Sequence, residues 1–286
     1  MPGPSLIIHG GAGAREGSHV GFPQYRASLS SIRDAAWRVL LADGARAAVL
    51  AAVRLLEDDP IFNAGLGSRL QRDGAVRMSA ALMDAEQGVF AGVVNIERVR
   101  HPIDVADALS GRQHTVVSGA GATALARELG MEVFDPITEH RLEEHRRHLQ
   151  GDTGTVGAVA LDEAGRICAG TSTGGVGYEL PGRVSDSATV AGTFASKAAG
   201  VSCTGIGEHI VNHGAAVRIV TRVEDGAGLD HAVARTIAEA DQRGFEYGLI
   251  AVDRAGNPVA GSTRDMVTLY ASRTQKEDQE FLSAED

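Results

Sequence analysis

The sequence predicts an antiparallel, layered α+β fold. Strand-like runs come in groups and helix-like runs come in groups, without the βαβα alternation that builds a parallel sheet. The 36 glycines cluster at junctions between short Val/Ala/Ile-rich runs, the composition of strands that turn tightly. A chain of 286 residues that is 43% hydrophobic can bury a sizeable core, in one large domain or two smaller ones.

In chain order, residues 5–8 form a strand candidate. Residues 26–56 carry Ala, Leu and Val at helical spacing, giving one or two helices that end near Asp58-Asp59-Pro60. A Gly-rich loop, Asn63 to Ser68, follows. Strands over 75–83 and 89–97 flank Asp84-Ala85-Glu86-Gln87-Gly88, and helices come next near 102–110 and 119–129. Residues 139–154 are dense in charge as far as His148 and then read Gly151-Asp152-Thr153-Gly154, an exposed helix or flexible linker. His140, His145 and His148 stand there among arginines, which oppose a bound cation. Further on, strands over 155–162, 166–173, 190–194, 198–204, 247–253 and 257–263 are joined by helices near 206–216 and 228–242.

Composition narrows the class. A formal charge of −10 disfavours nucleic acid, whose binding needs a basic surface to displace counterions. No apolar run approaches the roughly 20 residues that span a bilayer, so no membrane role is expected. Met1 to His9 has neither a basic leader nor a long apolar stretch, so a cytoplasmic location is expected. Cys168 and Cys203 are too few for a disulfide framework and sit in apolar runs, as small core residues do.

The chemistry centres on one hairpin. Thr155-Val156-Gly157-Ala158-Val159-Ala160-Leu161-Asp162 and Arg166-Ile167-Cys168-Ala169-Gly170-Thr171-Ser172-Thr173 meet at a short turn containing Gly165. Centring that turn on Ala164 places Thr155 opposite Thr173, so two hydroxyls meet at one end of a rigid ladder. An ordinary cross-strand Thr pair would look the same. What distinguishes Thr155 is its place directly after Gly154, at the end of a hydrophilic linker that can be cut without harm to a core. A Thr made N-terminal by cleavage carries nucleophile and base on one residue, because a free α-amine has a pKa of about 7.7–8.0.

Gly174 to Asp186 follows, rich in glycines that let backbone approach a ligand closely. Arg183 and Asp186 supply one cation and one anion three residues apart, a pair that fits an amino-acid head group or, equally, a surface salt bridge. Ser202-Cys203-Thr204-Gly205-Ile206-Gly207-Glu208 reads as a strand entering a helix, where backbone N–H groups and the Thr204 hydroxyl can form an oxyanion hole.

This ordered set resembles the plant-type L-asparaginases, also called isoaspartyl aminopeptidases, a branch of the N-terminal-nucleophile hydrolases. The likeness is carried by Ile8-His9-Gly10-Gly11-Ala12-Gly13, Leu56-Glu57 to Pro60, Phe62-Asn63-Ala64-Gly65 with Gly67-Ser68, Met83-Asp84, Gly154 to Ala160, Thr171 to Gly175, Pro181 to Val184 with Asp186, and Ser202 to Gly205 with Gly207-Glu208. The resemblance implies a four-layer αββα sandwich formed by one domain over 1–286. It implies self-cleavage between Gly154 and Thr155 into fragments 1–154 and 155–286, two of each pairing as a dimer of cleaved protomers. Thr155 is then the nucleophile and Thr173 assists its hydroxyl. Arg183 binds the substrate α-carboxylate and Asp186 its α-amine, Gly207 is a further substrate-binding residue, and Thr204 with Gly205 serves the oxyanion. A structural, non-catalytic sodium ion is implied on the backbone carbonyls of Leu56, Asp58, Asp59, Phe62, Ala64 and Leu66. The expected reaction is hydrolysis of the side-chain amide of asparagine or of β-aspartyl dipeptides, with glycosylasparagine the alternative amide.

Three positions depart from the family pattern: Leu66 where an Arg is usual, Ser79 where an Asp is usual, and Ser262-Thr263-Arg264-Asp265-Met266 in place of Asn-Thr-x-Gly-Met. Arg264 or Asp265 is expected to favour a charged leaving group such as Arg or Lys. Two rival readings are weaker. Gly170-Thr171-Ser172-Thr173-Gly174 matches an esterase nucleophile elbow at Ser172, but an elbow enters a helix, and Gly174 to Gly182 cannot sustain one. Gly10-Gly11-Ala12-Gly13 lacks the full fingerprint of a nucleotide cradle, and His209 with His213 lacks the glutamate of a metalloprotease helix.

Overall fold

A computed structural model describes residues 3–13, 21–148 and 154–281. In chain order the elements are β1 (Ser5–Gly13), α1 (Phe22–Asp43), α2 (Ala45–Asp58), β2 (Met78–Asp84), β3 (Val89–Ile96), α3 (Pro102–Leu109), β4 (Val116–Ser118), α4 (Gly119–Glu128) and α5 (Glu139–Arg146). There follow β5 (Val156–Leu161), β6 (Ile167–Thr173), β7 (Thr193–Ala195), β8 (Ala199–Gly205), α6 (Gly207–His213), α7 (Ala215–Glu224), α8 (Leu229–Gln242), β9 (Tyr247–Asp253), β10 (Pro258–Ser262), β11 (Val267–Thr274) and β12 (Asp278–Phe281).

Two sheets result. The larger runs β12-β11-β1-β5-β6-β2-β3-β4 and the smaller β10-β9-β8-β7. Every pairing is antiparallel except that of β3 with β4, which is parallel. The period of two along each strand sorts side chains between opposite faces. Leu6, Ile8, Ala158 and Ala160 join one core with Val49, Val53 and Leu56 of α2 and Ile103 and Val105 of α3. Their neighbours Ile7, Val159 and Leu161 point the other way, into a core shared with Ile250 and Val252 of β9. The remaining face of β9, Leu249 and Ala251, packs with Val201 and Cys203 against Ile210, Ile219 and Val220 of α6 and α7. Both cysteines are free and fully buried, as their apolar runs predicted. Among the described residues no helix is long and apolar enough to cross a membrane.

The expected helix over 206–216 is in fact two. Gly214 adopts a left-handed conformation, φ 60°, that ends α6 and starts α7, and α7 itself went unread in the sequence. So did β11 and β12, although β11 lies beside β1 in the main sheet. The linker read over 139–154 is partly anchored: Thr138 caps α5, and buried Arg141 donates from Nε to the Gly67 carbonyl at 2.7 Å. Residues 149–153 lie outside the described residues.

Candidate active site

The hairpin register is the one its turn predicts. Val156 faces Ser172 and Leu161 faces Ile167, so Thr155 and Thr173 close the ladder, and the Thr155 hydroxyl donates to Thr173 Oγ1 at 3.2 Å. Both are buried, at 5% and 3% exposure. Thr173 Oγ1 also accepts from the Gly175 N–H at 3.1 Å, which turns the chain sharply out of β6 past the two hydroxyls.

A small pocket opens over this pair, lined by Gly154, Thr155, Thr173, Gly175, Val176, Arg183, Ser185, Asp186 and Gly205. Arg183 is held in an acidic frame: its Nε and Nη2 donate to the two Glu208 oxygens, each at 2.8 Å, and its Nη1 to Glu179 Oε2 at 3.0 Å. Asp186 is buried, and its Oδ2 has no hydrogen-bond partner. Burial pushes its pKa up to about 7; nearby Arg183 and its own backbone N–H pull the other way. Gly207 sits where the two charges meet, since a Cβ there would lie 2.7 Å from Arg183 Nη2 and 2.9 Å from Asp186 Oδ1. Any side chain at 207 would therefore fill the space between cation and anion.

Thr204, expected to serve the oxyanion with Gly205, stands beside the nucleophile at the end of β8. It is fully buried, its Oγ1 accepts from the Ala12 N–H at 3.0 Å and lies 3.5 Å from the Thr155 carbonyl. Only its neighbour Gly205 lines the pocket. The bulge of β1 between His9 and Ala12 is what aims the Ala12 N–H at Thr204. Asn63, part of the Gly-rich loop and of the resemblance but given no role there, packs beside the expected scissile residue: a Cβ on Gly154 would lie 3.0 Å from its Cβ. Its Nδ2 donates to the Gly175 carbonyl at 2.5 Å and its Oδ1 accepts from the Arg69 N–H at 3.0 Å. Behind the nucleophile strand, His9 Nε2 lies 2.9 Å from Ser202 Oγ, which is 2.7 Å from Thr171 Oγ1. Burial drives the His9 pKa down to about 3 against a hydrogen bond with the Thr155 backbone, so its imidazole is neutral.

The remaining candidates are distributed over the fold. Ser172 is fully buried, and its hydroxyl donates to Glu57 Oε1 at 2.6 Å on the far side of β6, with no helix following; it cannot serve as an exposed nucleophile. Arg264 and Asp265 are exposed and absent from the pocket lining, and the Arg264 N–H donates to Asp241 at the end of α8. His209 accepts from the Glu246 N–H and His213 lies 2.7 Å from the Tyr247 hydroxyl. The residues expected to hold a cation through their carbonyls run from the last turn of α2 into the loop after it. Phe62 N–H bonds Asp59 O and Leu66 N–H bonds Glu57 O, curling residues 56–66 on themselves. Pro60, four residues after Leu56, offers no N–H to continue the helical pattern to the Leu56 carbonyl. The Asp58 and Asp59 carboxylates are engaged elsewhere, by Arg100 and by Ser28 and the Ile61 N–H.

The profile of the family described as asparaginase matches residues 2–153 and 143–282. An isoaspartyl peptidase/L-asparaginase of Synechocystis is 44% identical over 280 residues, covering 91% of this chain and 85% of that protein. The chain belongs to the asparaginase family. Its asparaginase relatives include the isoaspartyl peptidase of Salmonella typhimurium, 39% identical over 88% of this chain and 90% of that one. The plant-type L-asparaginase of Thermococcus kodakarensis is 38% identical over 88% and 91%.

Proposed function

We propose that this asparaginase-family protein is an N-terminal-nucleophile hydrolase that cuts its own Gly154–Thr155 bond and then hydrolyses the side-chain amide of asparagine and of β-aspartyl dipeptides, releasing aspartate. The two packed sheets and their outer helices fit the αββα sandwich of such hydrolases. One observation carries the reading: the Thr155 hydroxyl, donating to Thr173, forms the floor of a small pocket whose wall holds one fixed guanidinium and a buried carboxylate with one oxygen unpartnered.

In the uncut chain the Thr155 hydroxyl oxygen is the nucleophile and the carbonyl carbon of Gly154 its target. Attack there, with its proton passed through Thr173, shifts the acyl group from nitrogen to oxygen. Water then cleaves the ester and leaves a free α-amine on Thr155. That amine takes the hydroxyl proton in each turnover, as no other general base is required. Arg183, held flat by Glu179 and Glu208, receives the substrate α-carboxylate. Asp186 receives the α-ammonium, and the Gly205 backbone faces the developing oxyanion. Cleaved protomers are proposed to pair as a dimer, and the carbonyls from the last turn of α2 and the loop after it are proposed to hold a structural sodium ion that takes no part in the chemistry. Intact mass and a denaturing gel test the proposal: the wild type should give fragments 1–154 and 155–286 and release aspartate from asparagine. Thr155→Ala should stay full length and inactive. A wild type that remains one polypeptide yet turns over at full rate overturns it.

A further inference from the structure

Ser185 is a pocket residue to which the head-group scheme gives no role. The chain runs from exposed Val184 into buried Ser185 and Asp186, and these two adjacent residues line the pocket that holds Thr155. Each carries a buried oxygen without a hydrogen-bond partner, Ser185 Oγ and Asp186 Oδ2. Native folds rarely leave such atoms unpaired, and an unpaired hydroxyl on a residue that lines the pocket marks where a ligand's polar group completes the set. Resting on the reading above, we propose that Ser185 is a further specificity residue, whose hydroxyl accepts a hydrogen bond from the substrate α-ammonium beside Asp186.

Donor and acceptor needs assign the ammonium rather than the carboxylate. Arg183, whose Nε, Nη1 and Nη2 each spend one N–H on Glu208 or Glu179, keeps one further N–H on each of Nη1 and Nη2 for the carboxylate. The ammonium brings three N–H groups into a buried space, and the Asp186 carboxylate is wedged between Gly192 and Gly207, where a Cβ would lie 2.5 Å and 2.9 Å from its oxygens. A carboxylate fixed in that way cannot swing to meet all three, and the neighbouring hydroxyl supplies the missing acceptor.

Calorimetry on the purified, matured protein tests this with L-aspartate and with succinate, which is aspartate without its amine. Ser185→Ala and Ser185→Gly, checked for wild-type unfolding midpoints, should each weaken L-aspartate about tenfold to a hundredfold, the loss of one hydrogen bond from a charged donor, and leave succinate unchanged. The glycine variant carries the test should the alanine variant not fold. Unchanged L-aspartate affinity, or an equal loss for both ligands, overturns the assignment. A wild-type protein that binds neither ligand and hydrolyses no aspartyl amide overturns the underlying function as well, so the two failures are distinct.

Discussion

Burial sets Asp186 against its own charge. Its pKa near 7 means the folded state holds a proton that the unfolded chain releases near pH 4, so between those values the native state binds more protons and its stability falls as pH rises. Above pH 7 the ionised carboxylate costs up to about 4 kcal/mol relative to acid pH, at 1.36 kcal/mol per unit. Asp186→Asn should therefore raise the unfolding midpoint at pH 8 while abolishing turnover, which calorimetry and an aspartate-release assay check together. Substrate capture needs the ionised form, so kcat/KM should climb between pH 6 and 8. His9 works in the opposite direction. Its folded pKa of about 3 lies below the ordinary 6.5, so the unfolded chain gains a proton first and stability is lost as pH falls through that window, by about 2 kcal/mol at pH 5. At the nucleophile, Thr173→Val removes the acceptor of the Thr155 hydroxyl and should lower kcat about a hundredfold or more, as read from initial rates. Because Arg264 and Asp265 lie outside the pocket lining, β-Asp-Arg and β-Asp-Leu should be turned over at similar rates.

At the level of elements, the β5–β6 hairpin is the part most legible in the sequence. Two apolar runs, a short turn with Gly165 and a period of two fix its register, and the structure reproduces that register pair by pair. A glycine inside it, Gly157, has a reason visible only in three dimensions: a Cβ there would lie 2.1 Å from Ser202 Oγ and 2.5 Å from His9 Nε2. Gly157→Ala should cost about 3 kcal/mol or more, measured by urea unfolding. Elsewhere the sequence was less informative. The split of α6 from α7 turns on one left-handed glycine, and β11 alternates Val267, Leu269 and Ala271 with Thr268, Tyr270 and Ser272, a half-exposed pattern weaker than the buried runs around it. Asn63 and Ser185 were missed as site residues because both stand in loops, where no periodicity tells which way a side chain turns.

Across the whole molecule, the main sheet interleaves the two fragments that cleavage would make. β1 lies between β11 and β5, and β2 beside β6, so residues before the cut are hydrogen-bonded to residues after it on both sides. Matured protein should elute as one species in native gel filtration while running as two bands under denaturing conditions.

That interleaving makes maturation a one-way step. While the peptide bond is intact, β1 finds β5 as part of a single molecule, and recovery from denaturant does not depend on dilution. Once the bond is gone, the same strand must meet its neighbours as a separate molecule, by collision, against the translational freedom of two free chains. The enzyme thus gains its nucleophile by discarding the tether that guided its assembly. Renaturation yield of cut protein should fall with dilution, whereas the uncuttable Thr155→Ala chain should recover at every concentration tried.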